Sequence, residues 1–171
     1  MPSKEMAAEQ EMEKENHEKK EGRKILVFSV ADEELGLDIS CVGEVLRPQA
    51  IYPLPKTPPF VEGVINLRGH IVALIDLRKR LNSGQIEDEN KKRIIVCRIK
   101  KSIVGLTVNT LKEIIALSEE EIRPTPEVVS VQMETDVLSG IATVGNRVIP
   151  ILDLERILTK KEESELSTLE R

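Results

Sequence analysis

Apolar residues alternate with polar ones, or stand in short unbroken runs, through ILVFSV (25–30), ELGLDI (34–39), VEGVINL (61–67) and HIVALI (70–75), each bounded by Asp, Glu, Gly or Pro. Short runs rich in β-branched residues predict strands. Several are apolar on both faces, which disfavours an open sheet with one wet side and favours small closed barrels. A different period appears twice. ISCVGEVL (39–46) sets Ile39, Val42 and Val45 or Leu46 three to four residues apart, and VNTLKEII (108–115) does the same with Val108, Leu111 and Ile114 or Ile115. That spacing predicts two short helices. Two more helices are predicted where Asp76 and Asp153 precede good helix formers in IDLRKRL and LDLERIL, each aspartate serving as N-cap. Prolines crowd the stretch from Pro48 to Pro59, which predicts an extended connection rather than a ladder strand.

The pattern occurs twice along the chain. KILVFSVADEELGLDISCVGEVL aligns without gaps on RIIVCRIKKSIVGLTVNTLKEII, so that Gly36 meets Gly105 and Glu44 meets Glu113. GVINLRGHIVALIDLRKRL aligns likewise on GIATVGNRVIPILDLERIL, bringing Gly63 to Gly140 and Asp76 to Asp153. This is an internal duplication of units of roughly 60 residues, a size only marginally stable alone, so the units are expected to pack on each other. The expected organisation is a charged, disordered tail over 1–23, a domain over 24–158 and a helical or frayed tail over 159–171. Within the domain, subdomains of about 24–85 and 90–158 are expected, separated by polar NSGQIEDENKK (82–92).

Composition narrows the chemistry. The chain has 171 residues, 40% of them apolar but only 2% aromatic, and a formal charge of -5. Scarce rings and acidic balance argue against nucleic acid as a partner. No apolar run reaches the length of a membrane span and no signal peptide is apparent, so the expected location is cytoplasmic, without membrane insertion. Cys41 and Cys97 lie far apart with no histidine beside them, which reads as reduced structural thiols. P-loop, GxGxxG, HExxH and GxSxG patterns are all absent; His17 lies in the charged tail, and His70 has no nucleophile or carboxylate placed near it by pattern. The expectation is a protein that is not an enzyme and carries no cofactor and no catalytic or metal residues.

Arg68 stands out because the duplication supplies its control. Its repeat partner is Gly145, so neither the turn nor the barrel requires an arginine there. Two readings follow: a solvated charge at a loop tip, or a rigid guanidinium fork offered to a partner protein. The apolar residues of the two amphipathic pieces carry a similar choice. They either fill the seam between the units or line an apolar trough for a helical hairpin.

VEGVINLRGHIVALIDLRKRL resembles the signature stretch of the CheW family of chemotaxis coupling proteins, and the likeness extends from Lys24 to about Leu158 through ILVFSVADEELGLDI, the VGEVL turn, VGLTV and EEIRPTP. The resemblance implies a mostly β fold of two SH3-like five-stranded barrels with short helices and a C-terminal helix. It implies a non-enzymatic adaptor joining chemoreceptor cytoplasmic tips to the regulatory domain of the histidine kinase CheA, recruited to membrane-bound receptor arrays. By position, Arg68 matches the family's NLRG arginine, in the region used for contacts within the signalling complex, and Val42 and Glu44 match its receptor-coupling turn, so that the resemblance implies receptor contact by all three. Ile39, Val42, Val45 and Leu111 match the groove expected to hold the receptor tip. The kinase contact is expected on the barrel of the first unit (about 24–85), around Pro48 to Pro59 and the strands flanking Arg68, without individual residues assigned. The alternative is a small-barrel module binding another protein or a small apolar ligand.

Overall fold

The structure, a computed structural model, describes residues 22–81, 90–124, 137–159, 161–162 and 164–165. Residues 1–21 of the expected disordered tail and most of the 159–171 tail therefore lie outside the described residues, and Arg23, expected in the tail, is the first residue of a strand. Eleven strands are present among them. The first repeat supplies β1 (Arg23–Val30), β2 (Glu33–Asp38), β3 (Val42–Leu46), β4 (Val61–Leu67) and β5 (His70–Asp76). The second supplies β6 (Arg93–Ile99), β7 (Ser102–Val108), β8 (Thr110–Leu117), β9 (Ile122–Arg123), β10 (Leu138–Val144) and β11 (Arg147–Leu152).

The strands form two sheets in the orders β8-β1-β2-β11-β10-β9 and β3-β6-β7-β5-β4. Each sheet thus takes its hairpin, β1–β2 or β6–β7, from one repeat and its remaining strands from the other. The divisions 24–85 and 90–158 describe the duplicated units of sequence, but the sheets do not follow them. The exchange is made by two parallel pairings: Ile151 on β11 with Gly36 on β2, and Ala73 to Asp76 on β5 with Val104 to Thr107 on β7. Closure is the same in both sheets. β8 and β9 lie on one continuous segment yet occupy opposite edges, and in the other sheet β3 pairs with β6 while Tyr52, just beyond it, bridges to Val64 on β4. Each sheet is thus rolled so that one stretch of chain serves both of its edges, which gives the two expected small barrels.

Three apolar clusters follow from this geometry. Ile25, Val27, Ile149 and Ile151 fill the first barrel, and Ile65, Val72, Leu74, Ile94 and Val96 fill the second. The largest cluster joins them along the seam, with Phe28, Leu35 and Leu37 meeting Ile75, Ile95 and Leu106. The chain crosses the seam at short links, a 3-10 turn at Ile39–Cys41 and the single residue Asn109. Asn109 is tied across it: its N–H donates to the Ser29 carbonyl at 2.9 Å and its side-chain oxygen accepts from Ala31 N–H at 3.1 Å.

The two helices predicted over 39–46 and 108–115 are strands apart from that 3-10 turn, and the reason is instructive. On β3 the register with β6 shifts between Val42 and Glu44, and on β8 the register with β1 shifts between Leu111 and Glu113. Each shift is a β-bulge that inserts one residue, Gly43 or Lys112. Val42 therefore opposes Cys97 while Val45 opposes Ile95, both seam residues, and Leu111 and Ile114 oppose Phe28 and Leu26 in the same way. A bulge places residues three apart on one face of a strand, and that spacing imitates a helix.

The other two helices form where expected, as single turns at Leu77–Arg80 and Leu154–Ile157. The Asp76 carboxylate accepts from Arg78 N–H at 3.0 Å and is almost fully buried, whereas Asp153 accepts from Glu155 N–H at 3.0 Å and is only half-buried. Asp76→Ala is expected to cost about 1–2 kcal/mol. Asp153→Ala is expected to cost less, because water can replace the lost acceptor, and urea unfolding of the pair measures the difference.

Candidate functional site

The β4–β5 hairpin turns on two residues, since Leu67 and His70 are paired partners. Both central residues, Arg68 and Gly69, have positive φ, 50° and 87°. Such a turn suits the twist of the flanking strands but favours Gly, Asn or Asp at both places. The other repeat obeys this preference with Gly145 at φ 60°. Arg68 is held in a backbone conformation that its own side chain disfavours. Ala31, Lys56 and Lys100 share this conformation at φ 55°, 61° and 53°, so it is the side chain rather than the backbone that distinguishes Arg68.

The guanidinium of Arg68 reaches back to β3 and donates two hydrogen bonds to Glu44, one from each terminal nitrogen. These bonds and the carboxylate charge raise the Arg68 pKa further above its ordinary value. The pairing does not bury the arginine, whose side chain remains 72% exposed. A bidentate fork fixes the guanidinium in a defined direction while leaving one face to solvent.

Glu44 and Arg68 stand at the open end of the second barrel, over a groove of about 440 Å³ whose wall includes Cys41, Val42, Val72, Arg98 and Ile103. Of the six residues expected to form one site, three meet here: Val42, Glu44 and Arg68. Ile39 and Leu111 are elsewhere, half-buried against the seam cluster that Val42 also touches. Val45 lies on the seam-facing side of β3, 38% exposed, and its repeat counterpart Ile114 on β8 is 58% exposed. The bulge at Gly43 causes this division, turning Glu44 toward the barrel mouth and its neighbours Val42 and Val45 toward the seam. Val42 belongs to both surfaces.

Arg98, Ile103 and the exposed Tyr52 were not anticipated from sequence. The test that isolated Arg68 would have found the first two, since the repeat partners of Arg98 and Ile103 are Ser29 and Glu34. Cys97 is a structural thiol: burial, with the neighbouring Cys41 adding to it, pushes its pKa far up. Among the described residues no cluster of His, Cys, Asp or Glu has the arrangement of a metal site.

A family model described as the CheW-like domain matches residues 24–162. The chain is 36% identical over 143 residues to the chemotaxis protein CheW of Bacillus subtilis, an alignment spanning 83% of this chain and 90% of that protein. It is 33% identical over 141 residues to the chemotaxis protein CheW of Klebsiella aerogenes, spanning 82% and 84%. In structure it is similar to the scaffolding protein TtCheW from Thermoanaerobacter tengcongensis, with a TM-score of 0.76, 38% identity, and coverage of 82% of this chain and 94% of that one.

Proposed function

Because the chain belongs to the CheW-like family, we propose that it is the coupling scaffold that joins chemoreceptor cytoplasmic tips to the histidine kinase CheA and so places the kinase under receptor control. The coarser role, a chemotaxis adaptor that works with other signalling proteins and has no enzymatic activity of its own, is that of the family. Receptor contact is assigned to Val42, Glu44 and Arg68 at the mouth of the second barrel and to Ile39, Val45 and Leu111 along the adjoining seam. Kinase contact is assigned to the barrel containing Arg68, on the Pro48 to Pro59 connection and β4–β5, where Tyr52 is 60% exposed and Ile71 is also exposed. Recruitment to receptor arrays follows from these contacts; no helix among the described residues is long and apolar enough to cross a membrane.

The observation that carries this reading is Arg68 itself. A guanidinium aimed by Glu44, largely exposed, and placed where the duplicate carries glycine is suited to orienting a partner surface rather than to stabilising its own fold. Co-sedimentation with receptor-containing membranes and CheA tests it. Wild type is expected to pellet with both, and folded Arg68→Glu to lose at least about tenfold in recruitment of one of them. A wild type that binds neither partner would remove the coupling role, and a variant indistinguishable from wild type would return Arg68 to a solvated loop charge.

A further inference from the structure

The two barrel mouths are built from equivalent positions but carry opposite charge. In the first barrel Glu113 opposes Val27, Glu34 opposes Ser29 and Arg147 opens β11. Arg147 bridges both carboxylates, bonding Glu113 through one terminal nitrogen and Glu34 through the other at 3.0 Å. Both partners raise its pKa, Glu113 more than Glu34. That mouth is occupied by its own ion-pair triad and has a carboxylate in excess.

In the second barrel the same positions are Glu44 opposite Val96, Ile103 opposite Arg98, and His70 opening β5. The bridging arginine is a histidine here, one carboxylate is an isoleucine 40% exposed, and a serine is the exposed Arg98. The single carboxylate, Glu44, is committed to Arg68. Arg98 lines the groove and has no ion-pair partner among the described residues. The adjoining hairpins extend the contrast, with Ala31-Asp32-Glu33 at the first mouth and Lys100-Lys101-Ser102 at the second. A surplus cation beside exposed apolar surface, on a chain of net charge -5, gives a local field opposite in sign to that of the whole protein. Fields of this kind steer and orient oppositely charged partners.

The geometry points to Arg98 as a specificity-determining residue: the second barrel's mouth receives an acidic side chain from the partner segment seated beside Arg68, with that segment's neighbouring apolar residue resting on Ile103 and Val72. This rests on the coupling reading and names the chemistry that it requires of the receptor tip, a carboxylate next to an apolar residue.

The test titrates the full-length protein with a purified cytoplasmic signalling fragment of a chemoreceptor from the same organism, as wild type, Arg98→Glu and Arg98→Lys, after circular dichroism shows all three folded. Arg98→Glu is expected to weaken binding by about tenfold, with a shallower dependence on salt, and Arg98→Lys to retain most of the affinity. A Glu→Lys change on the fragment that restores binding to Arg98→Glu identifies the acidic residue. If wild type binds and Arg98→Glu binds within about twofold of it, coupling stands and this inference is overturned. If wild type does not bind, the coupling reading fails and this inference fails with it. Self-association of wild type that Arg98→Glu abolishes, with fragment binding unchanged, would assign the mouth to a second copy of the chain and overturn the proposal.

Discussion

Expressed separately, residues 24–81 and 91–158 are each expected to remain largely unfolded, and expressed together to reassemble into one stable protein. Each half holds one hairpin of one barrel and the remaining strands of the other, so neither contains a complete sheet. A half alone would expose both the barrel interior and its side of the seam, where Phe28 and Leu35 meet Ile95 and Leu106. It would also leave β2 and β5 without their parallel partners β11 and β7. A two-stranded hairpin is marginal in water, and a unit of about 60 residues has little core to spare even when intact. Circular dichroism of each half and of the co-expressed pair is the measurement. A well-ordered, cooperatively unfolding 24–81 would mean that the repeats fold as independent barrels and would overturn the intertwined arrangement.

Replacing Gly63 by alanine is expected to lower stability by about 3 kcal/mol or more, a large share of the roughly 5–15 kcal/mol that such domains possess. Gly63 has φ 146°, and a Cβ built there would stand 2.4 Å from the Tyr52 carbonyl oxygen. That oxygen accepts from Val64 N–H at 2.9 Å in the bridge that closes the second barrel. The backbone cannot withdraw without breaking closure, so the added methyl acts on a whole edge. Gly140 occupies the matching place in the first barrel, with a Cβ falling 2.8 Å from the Arg123 carbonyl oxygen. Gly140→Ala is expected to destabilise by less, since the approach is less close. Urea unfolding of both variants gives the magnitudes, and a Gly63→Ala protein as stable as wild type would show that Tyr52 is not a fixed edge of the barrel. The duplicated glycines are thus explained by closure, a contact between segments that are adjacent in the barrel but not continuous in any sequence pattern.

Arg68 was legible because a duplicated chain carries its own comparison. An arginine opposed by glycine needs a reason that the fold does not supply. From the repeat, Glu44 was legible only as a glutamate matching Glu113, and the family resemblance alone placed it in a receptor-coupling turn. That one glutamate bonds Arg68 and the other Arg147 depends on where the two hairpins end, and the donor falls in the turn of one hairpin and on the first strand residue of the other. The helix expected over 39–46 failed for a different reason. A period of three is the signature of a helical face and also of a strand interrupted by one bulge, and nothing local distinguishes them. Cross-strand register does, because Val42 and Val45 must both meet seam residues of β6.

The sequence by itself determined the regular strands, the duplication, the two aspartate caps and the singular arginine, since alternation, capping and turn preference act over a few neighbouring residues and are recorded where they act. Only the tertiary structure decided that the repeats exchange hairpins, that the six expected site residues divide between a barrel mouth and a seam, and that Arg98 stands without the carboxylate that its counterpart mouth would have given it. Those outcomes rest on pairings such as Leu74 with Gly105 and Ile151 with Gly36, between residues whose mutual choice depends on burying one continuous apolar surface and is written in no local pattern.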